Sequence, residues 1–582
     1  MSARQKIKIL KGSGEDEFLD LCESIIQKRI NERSLVEFVD SDANFTLKLS
    51  IENSLTENSF RIAGNEIVGD DKSGLMAGIG KFLRLSSYVN EKFQPFQGEL
   101  ESKPYKRVRG MYYATTGQHT YYTDAPIEDV VEYTEDLALW GTNKILLWHP
   151  TGFFKGRDDP AVQEHREMLR LLGRAAKRLG MSVSFGMTST FMYKGIPEEF
   201  KAKKFDPKTL GGHYWVVTDM DACPSVPGGM DYILNEQLEL IRFYAEFNPE
   251  YISMGMYDPG SCGCEACAPW ATNGYLKLAA RLAELIKREI PSCKVLACTW
   301  AMDRDVDWNE YYNLYPTGAL DWTDGFLIPR DVSAYWLKSG KSPGNLPVTG
   351  FVEITMNSMT PWVGYGATCN LNNTKYLWAI SELGAIGVYC YSEGVHDDIL
   401  KKYCAALSWG GGAVNQYDFM KEYIAYEFQP NVPDMEKIST AMNILEANHF
   451  RQNIGCSSAT AFKLLNEVDA NLPEKARKKL QWRQLYLRAL IDAEMFKIKD
   501  LWIDVIQNEP RKFYSDFSGI IHDAPLKVKR KLKAAFDELT DLYHAHDCWS
   551  LKTKPFPINL ESKTGPREIA GDFLDEEGKK NR

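Results

Sequence analysis

The chain lacks most of the features that would place it in a class at a glance. No stretch of its 582 residues is apolar enough to span a bilayer, so no membrane helix is expected. Positive charge is not in surplus. The 69 Lys and Arg stand against 79 Asp and Glu, and the formal net charge of −10 argues against nucleic acid or an anionic membrane as the main ligand. There is no Gly-rich phosphate loop, no G-x-S-x-G elbow and no H-E-x-x-H, so P-loop, serine-hydrolase and zincin chemistries have no support. Repeats and low-complexity tracts are absent. Met1 to Lys11 is basic but without the apolar run of a secretory signal. A cytoplasmic location is therefore expected, or a secreted or periplasmic one if a signal has been removed. The 12 cysteines stand mostly alone in apolar segments, as Cys298 and Cys390 do. That pattern fits free buried thiols in a reducing compartment.

What is present is length and aromatic content. A chain of 582 residues exceeds what one core usually fills, so two or three domains are expected. With 14 Trp and 29 Tyr, there is enough aromatic surface both for cores and for stacking on sugar rings. Residues 1–103 read as an α/β domain: strands at Lys6–Leu10 and Phe45–Ile51, a helix over Asp16–Arg29, a hairpin around Ala63-Gly64-Asn65, and a helix rich in small residues from Asp71. Residues 104–412 change rhythm to strand, loop, helix. Eight apolar segments, at Arg109–Tyr113, Lys144–Trp148, Ser182–Met187, Tyr251–Met256, Lys294–Thr299, Gly325–Ile328, Thr349–Ile354 and Ile386–Tyr391, alternate with helical patterns. That count and alternation predict a (β/α)8 TIM barrel, with the Gly/Pro/aromatic stretch 193–230 as a loop over its mouth. Residues 413–582 read as a helical domain that ends in a loose polar tail.

A barrel of this kind carries its chemistry at the C-terminal ends of the strands. Three carboxylates fall there as catalytic candidates: Asp258 after the fourth strand, Glu353 in the seventh, and Glu393 after the eighth. Candidate substrate-binding residues on the same rim are Arg109, Trp148, His149, Tyr257, Trp300, Asp303, Arg330, Asp331, Asn357 and Tyr391. Carboxylates can act as acid and base while aromatics stack on sugar faces. Each has a plainer reading. Asp258-Pro-Gly is common turn chemistry. Glu353 can pair with a barrel arginine, since a buried carboxylate needs a partner. A lone histidine such as His149 or His396 is more often hydrogen-bonded scaffold. Carboxyl spacing would separate retaining chemistry, at roughly 5–5.5 Å, from inverting chemistry, at roughly 6.5–9.5 Å.

No cofactor is required by this chemistry. One motif stands apart from it: Cys262, Cys264 and Cys267 offer three thiols at C-x-C-x2-C spacing, and Cys223 or His213 could complete a structural zinc site. Two C-x2-C pairs are the commoner arrangement, and only half of that is here.

The order of parts resembles exo-acting glycoside hydrolases, the family 20 β-N-acetylhexosaminidases and the family 67 α-glucuronidases. Gly74-Leu-Met-Ala-Gly-Ile-Gly-Lys-Phe-Leu is similar to the G-L-x-x-G helix of their N-terminal domain. Arg109-Gly-Met-Tyr and Ala138-Leu-Trp-Gly-Thr-Asn-Lys-Ile resemble the openings of their first and second barrel strands. Family 20 enzymes end strand four with an Asp-Glu pair. Laid on Ile252-Ser-Met-Gly-Met-Tyr-Asp, the resemblance puts the general acid at Asp258 and Tyr257 in the place of the acetamide-orienting Asp. Family 67 enzymes spread an acid and later carboxylates around the barrel, which Asp258 with Glu353 or Glu393 resembles. The resemblance implies glycosidic-bond hydrolysis of an oligosaccharide, hexosaminidase-like or α-glucuronidase-like. The missing Asp leaves two alternatives: a non-catalytic carbohydrate-binding protein on a degenerate barrel, or a lyase or isomerase using His149 or Tyr257 as base. The sequence sets no oligomeric state.

Overall fold

A computed structural model describes residues 4–544 except 116–119, 204–219, 256–261, 301, 303–306, 330–340, 355–360, 363–366, 450–453, 510–516 and 518. Its first element is a six-stranded sheet ordered β2-β1-β3-β5-β4-β6. The strands are β1 (Gln5–Lys11), β2 (Val36–Phe38), β3 (Phe45–Ile51), β4 (Phe60–Ala63), β5 (Glu66–Gly69) and β6 (Glu99–Ser102). β4 and β5 form the expected hairpin, with Gly64 at φ +59° in the turn between them.

The helix Lys72–Leu85 begins where Asp71 accepts the Gly74 amide at 2.7 Å, an N-cap. Its small residues are there for contact. A Cβ on Gly78 would meet Phe60 and Ile67 of the sheet at 3.0 Å, and one on Gly80 would meet the Leu139 carbonyl oxygen at 1.7 Å. Gly78 thus lets the helix lie on its own sheet, and Gly80 lets it touch the barrel.

The barrel closes through eight parallel strands: β7 (Val108–Tyr113), β8 (Lys144–Trp148), β9 (Ser182–Thr188), β10 (Tyr251–Gly255), β11 (Lys294–Cys298), β12 (Gly325–Pro329), β13 (Val348–Glu353) and β14 (Ala385–Ser392), with β14 pairing back onto β7. All eight match the predicted segments within a residue or two. Their runs are apolar on both faces because one face fills the barrel and the other packs on the helical ring. The helix Pro160–Arg178 between β8 and β9 starts where Asp159 caps it, accepting the Ala161 amide at 3.1 Å, with Pro160 at its first position. Beyond the barrel the described residues are helical, including Gln416–Phe428, Val432–Ala447, Ser457–Asp469, Leu480–Lys497 and Leu526–Leu542.

The three parts meet around buried charge. Lys402, fully buried, lies 2.6 Å from Asp136, 3.0 Å from Asp398 and 2.9 Å from Glu427. These belong to two barrel helices and the first helix of the last part. Arg29 and Arg33 of the first part join the cluster through Asp136 at 3.9 Å and Glu427 at 3.7 Å. Ions this deep persist only when each has partners, and here the partners come from all three parts.

Candidate functional site

Side-chain alternation decides what faces the barrel axis. On β7, Val108, Gly110 and Tyr112 point inward and Arg109 points out. On β8, Leu146 and Trp148 point inward. Tyr389 of β14 and Leu327 of β12 complete that inner cluster. Large and small residues alternate across it: a Cβ on Gly110 would sit 2.2 Å from the Tyr389 ring.

At the C-terminal end the axis is floored by aromatic rings. Tyr112 lies over Trp148 with centroids 6.1 Å apart, meets Phe351 at 5.5 Å, and stands edge-on to Tyr391 at 5.0 Å. Phe351 also packs against Tyr391 at 5.7 Å and Trp300 at 6.3 Å. Five rings from β7, β8, β13, β14 and the turn after β11 therefore form one apolar surface at the end of the barrel where the loops converge. Such a surface suits the apolar face of a sugar ring.

Two carboxylates rise at its edge. Glu353 ends β13 and is paired in register with Tyr391. It follows Thr349 and Phe351 on the inward face, and it is 9% exposed. Glu393 leaves β14 two residues after Tyr391, is 7% exposed, and accepts the Tyr391 hydroxyl at 3.1 Å. Tyr391 is thus the backbone neighbour of one acid and the hydrogen-bond donor to the other. The turn carrying Glu393 is fixed from behind. Ser392 Oγ donates to the Gly394 carbonyl at 2.9 Å and reaches Asp397 at 3.1 Å. Buried Lys401 pairs with Asp397 at 2.8 Å, donates to the hydroxyls of Tyr122 at 2.9 Å and Tyr133 at 3.0 Å, and also bonds the Gly394 carbonyl. An acid at the end of a strand held this firmly keeps its aim.

The structure separates the other candidates. Trp148, Trp300 and Tyr391 lie in the aromatic floor. Arg109 does not reach the rim. It points outward near the start of β7, donating to the carbonyls of Gly141 at 2.8 Å and Lys106 at 3.0 Å and to Asn58 at 3.2 Å, with its guanidinium over Trp409. The reason is parity: Arg109 is an odd number of residues from Tyr112. It ties the barrel to the first part through Asn58.

His149 is corrected on the same ground, one residue beyond inward-facing Trp148. It sits behind the barrel wall against Phe154 and Phe243, and its Nε2 accepts the Arg166 Nε–H at 3.0 Å. Burial holds it well below the usual histidine pKa, so it is a neutral acceptor. His396 is buried likewise and pushed down to about 4. Tyr257, Asp258, Asp303, Arg330, Asp331 and Asn357, and His213 of the cysteine motif, lie outside the described residues. Tyr112 and Phe351 were absent from the sequence candidates. The signal for them was available: both share the inward parity of an already chosen residue on their own or the adjoining strand.

A second cluster flanks the rim between the loops that follow β9 and β10. The sulfurs of Cys223, Cys262, Cys264 and Cys267 all lie within 4.8 Å of one another. Cys223 comes from the loop after β9 and the other three from the loop after β10, strands that are paired neighbours. Among the described residues this group is all sulfur, a donor set suited to a soft or borderline metal ion.

No protein-family model and no curated protein matches the chain. Solved structures do match its fold. A family 138 glycoside hydrolase described as targeting pectin rhamnogalacturonan II aligns over 97% of both chains at 12% identity and a TM-score of 0.56. The family 89 glycoside hydrolase of Clostridium perfringens, in complex with its substrate GlcNAc-α-1,4-galactose, aligns over 95% of this chain and 72% of its own at 12% identity and a TM-score of 0.59. A family 115 4-O-methyl-α-glucuronidase with specificity for decorated arabinogalactans aligns over 95% and 79% at 10% identity and a TM-score of 0.54. At such identities the likeness is one of fold.

Proposed function

We propose that the chain is a glycoside hydrolase whose substrate is held at the C-terminal end of the barrel. The observation that carries this reading is the five-ring floor with Glu353, in register with Tyr391, and Glu393, bonded by Tyr391, at its edge. Support of a weaker kind comes from the fold, since the neighbours named above are described as acting on glycans.

In this reading the floor stacks on the sugar that occupies the pocket, burying its apolar face. Asp258, placed in sequence just past β10, is the general acid that protonates the leaving oxygen. Glu393 or Glu353 supplies the second carboxylate, as base toward water or as nucleophile. The Tyr391 hydroxyl, already donated to Glu393, orients that group. The finer choice between hexosaminidase-like and α-glucuronidase-like action belongs to the substrate's acetamide or carboxylate. Tyr257 in the place of an orienting Asp favours the second.

A panel of nitrophenyl glycosides and glucuronides tests the reading. Turnover by the parent chain, abolished in Asp258→Asn with thermal stability retained, is the expected result. Full activity in that variant removes Asp258 from the role. Calorimetric glycan binding with no cleavage after long incubation would replace hydrolysis with the carbohydrate-binding alternative.

A further inference from the structure

We propose that Cys223, Cys262, Cys264 and Cys267 bind one structural zinc ion that clamps the loop after β9 to the loop after β10. The Cys223 sulfur stands 3.8 Å from that of Cys264 and 3.8 Å from that of Cys267. A regular tetrahedron with metal–sulfur bonds of about 2.3 Å has sulfur–sulfur edges of about 3.8 Å. The same separation is nearly twice the roughly 2.05 Å of a disulfide bond, so these contacts are not cystines. None of the four is paired in a disulfide.

The surroundings suit sulfur as an acceptor of hydrogen bonds, as a metal-bound thiolate is. The Lys203 amide donates to the Cys262 sulfur at 3.4 Å, and the Ser225 hydroxyl lies 3.0 Å from the Cys267 sulfur. The backbone is shaped to bring the ligands together. The Gly263 amide donates to the Lys203 carbonyl at 2.8 Å, laying the start of the Cys262 loop on the Cys223 loop. Both Cys267 and Ala268 donate to the Cys264 carbonyl, at 3.0 and 3.1 Å, a tight turn that returns Cys267 toward Cys264. Gly229 allows the close approach on the other side, since a Cβ there would meet the Cys223 carbonyl oxygen at 2.1 Å.

Three of the four cysteines are almost fully buried, and Cys264 is partly exposed. Four clustered thiols of this kind gain little from one another, because S–H groups are weak donors and sulfur a weak acceptor. A divalent ion at their centre satisfies all four. The all-sulfur set favours zinc over magnesium or calcium, which take oxygen ligands. With four protein ligands the ion has no open position, so its role is structural. The sequence signal was incomplete because the fourth ligand lies on a different loop, before β10, and only the pairing of β9 with β10 brings it into reach.

Metal analysis of the full chain, expressed with zinc supplied and then desalted, tests the site without any assay of activity. Stoichiometric zinc, lost in the Cys223→Ser/Cys264→Ser double variant, is expected. To separate loss of the site from loss of the fold in that variant, the parent chain is examined after cobalt(II) exchange. The charge-transfer and intense d–d bands of a tetrahedral tetrathiolate support the site. A parent chain with no bound metal, with iron in place of zinc, or with a disulfide among these cysteines by mass analysis overturns it. Any accompanying loss of hydrolysis rests on the proposed function. Zinc content reads the clamp alone, so the two can fail separately.

Discussion

The two ends of the barrel are built from the same strands and do opposite things with charge. At the lower end, where the strands begin, the buried cations Arg109 and Lys144 are consumed by the scaffold. Arg109 spends its donors on Gly141, Lys106 and Asn58. Lys144 at the start of β8 bonds Glu250, just before β10, and Ser182 of β9, which itself donates to Glu250 at 2.8 Å. At the upper end Glu353 and Glu393 stand beside the aromatic floor. Paired charge at one end locks strands and neighbouring parts together. Carboxylates beside an apolar floor at the other end are placed to act on something that binds there.

The comparison can be broken experimentally. The largest effect is expected at the top: Glu393→Gln lowers kcat by about 10²–10⁴-fold with little change in melting temperature. An unaltered kcat would move the second carboxylate role to Glu353. Next comes the bottom. Arg109→Met takes their donor from the buried Gly141 carbonyl and the part-buried Lys106 carbonyl and costs about 3 kcal/mol in chemical denaturation. Its kcat/KM in the remaining folded protein should stay within about twofold. A large loss of kcat/KM with intact stability would return Arg109 to the substrate site.

A smaller effect probes the wall around the upper end. Burial depresses His396 from 6.5 to about 4, so between those values the unfolded chain binds the proton and the folded chain does not. This group therefore takes stability away as pH falls through that window. His396→Asn should gain on the parent protein by up to about 3 kcal/mol on going from pH 6.5 to 4. A difference independent of pH would show that His396 is not buried as a neutral group. The smallest effect is Tyr112→Leu, which removes one ring of the floor and should raise KM by about 2- to 10-fold while sparing kcat. A loss confined to kcat would place Tyr112 nearer the chemistry than the floor.

The barrel strands were legible because each is a short apolar run between turn signals. Burial on both faces writes that pattern regardless of which strand it becomes. The helix Lys72–Leu85 was legible from its glycines, which are needed where helix and sheet or helix and helix touch. The site was legible only in part. Choosing polar residues near strand ends selected Trp148, Trp300, Tyr391, Glu353 and Glu393, but it selected Arg109 and His149 as well. It passed over Tyr112 and Phe351, because proximity to a strand end was weighed and side-chain parity was not.

Local pattern alone determined the alternating elements, the barrel and the residues near its rim, since hydrophobic periodicity is a property of neighbours in sequence. Tertiary structure decided which of those residues face the axis and which face the helices, and that Cys223 meets Cys262, Cys264 and Cys267. Those outcomes depend on strand pairing and ring closure, which join segments far apart in the chain and leave no mark in either segment by itself.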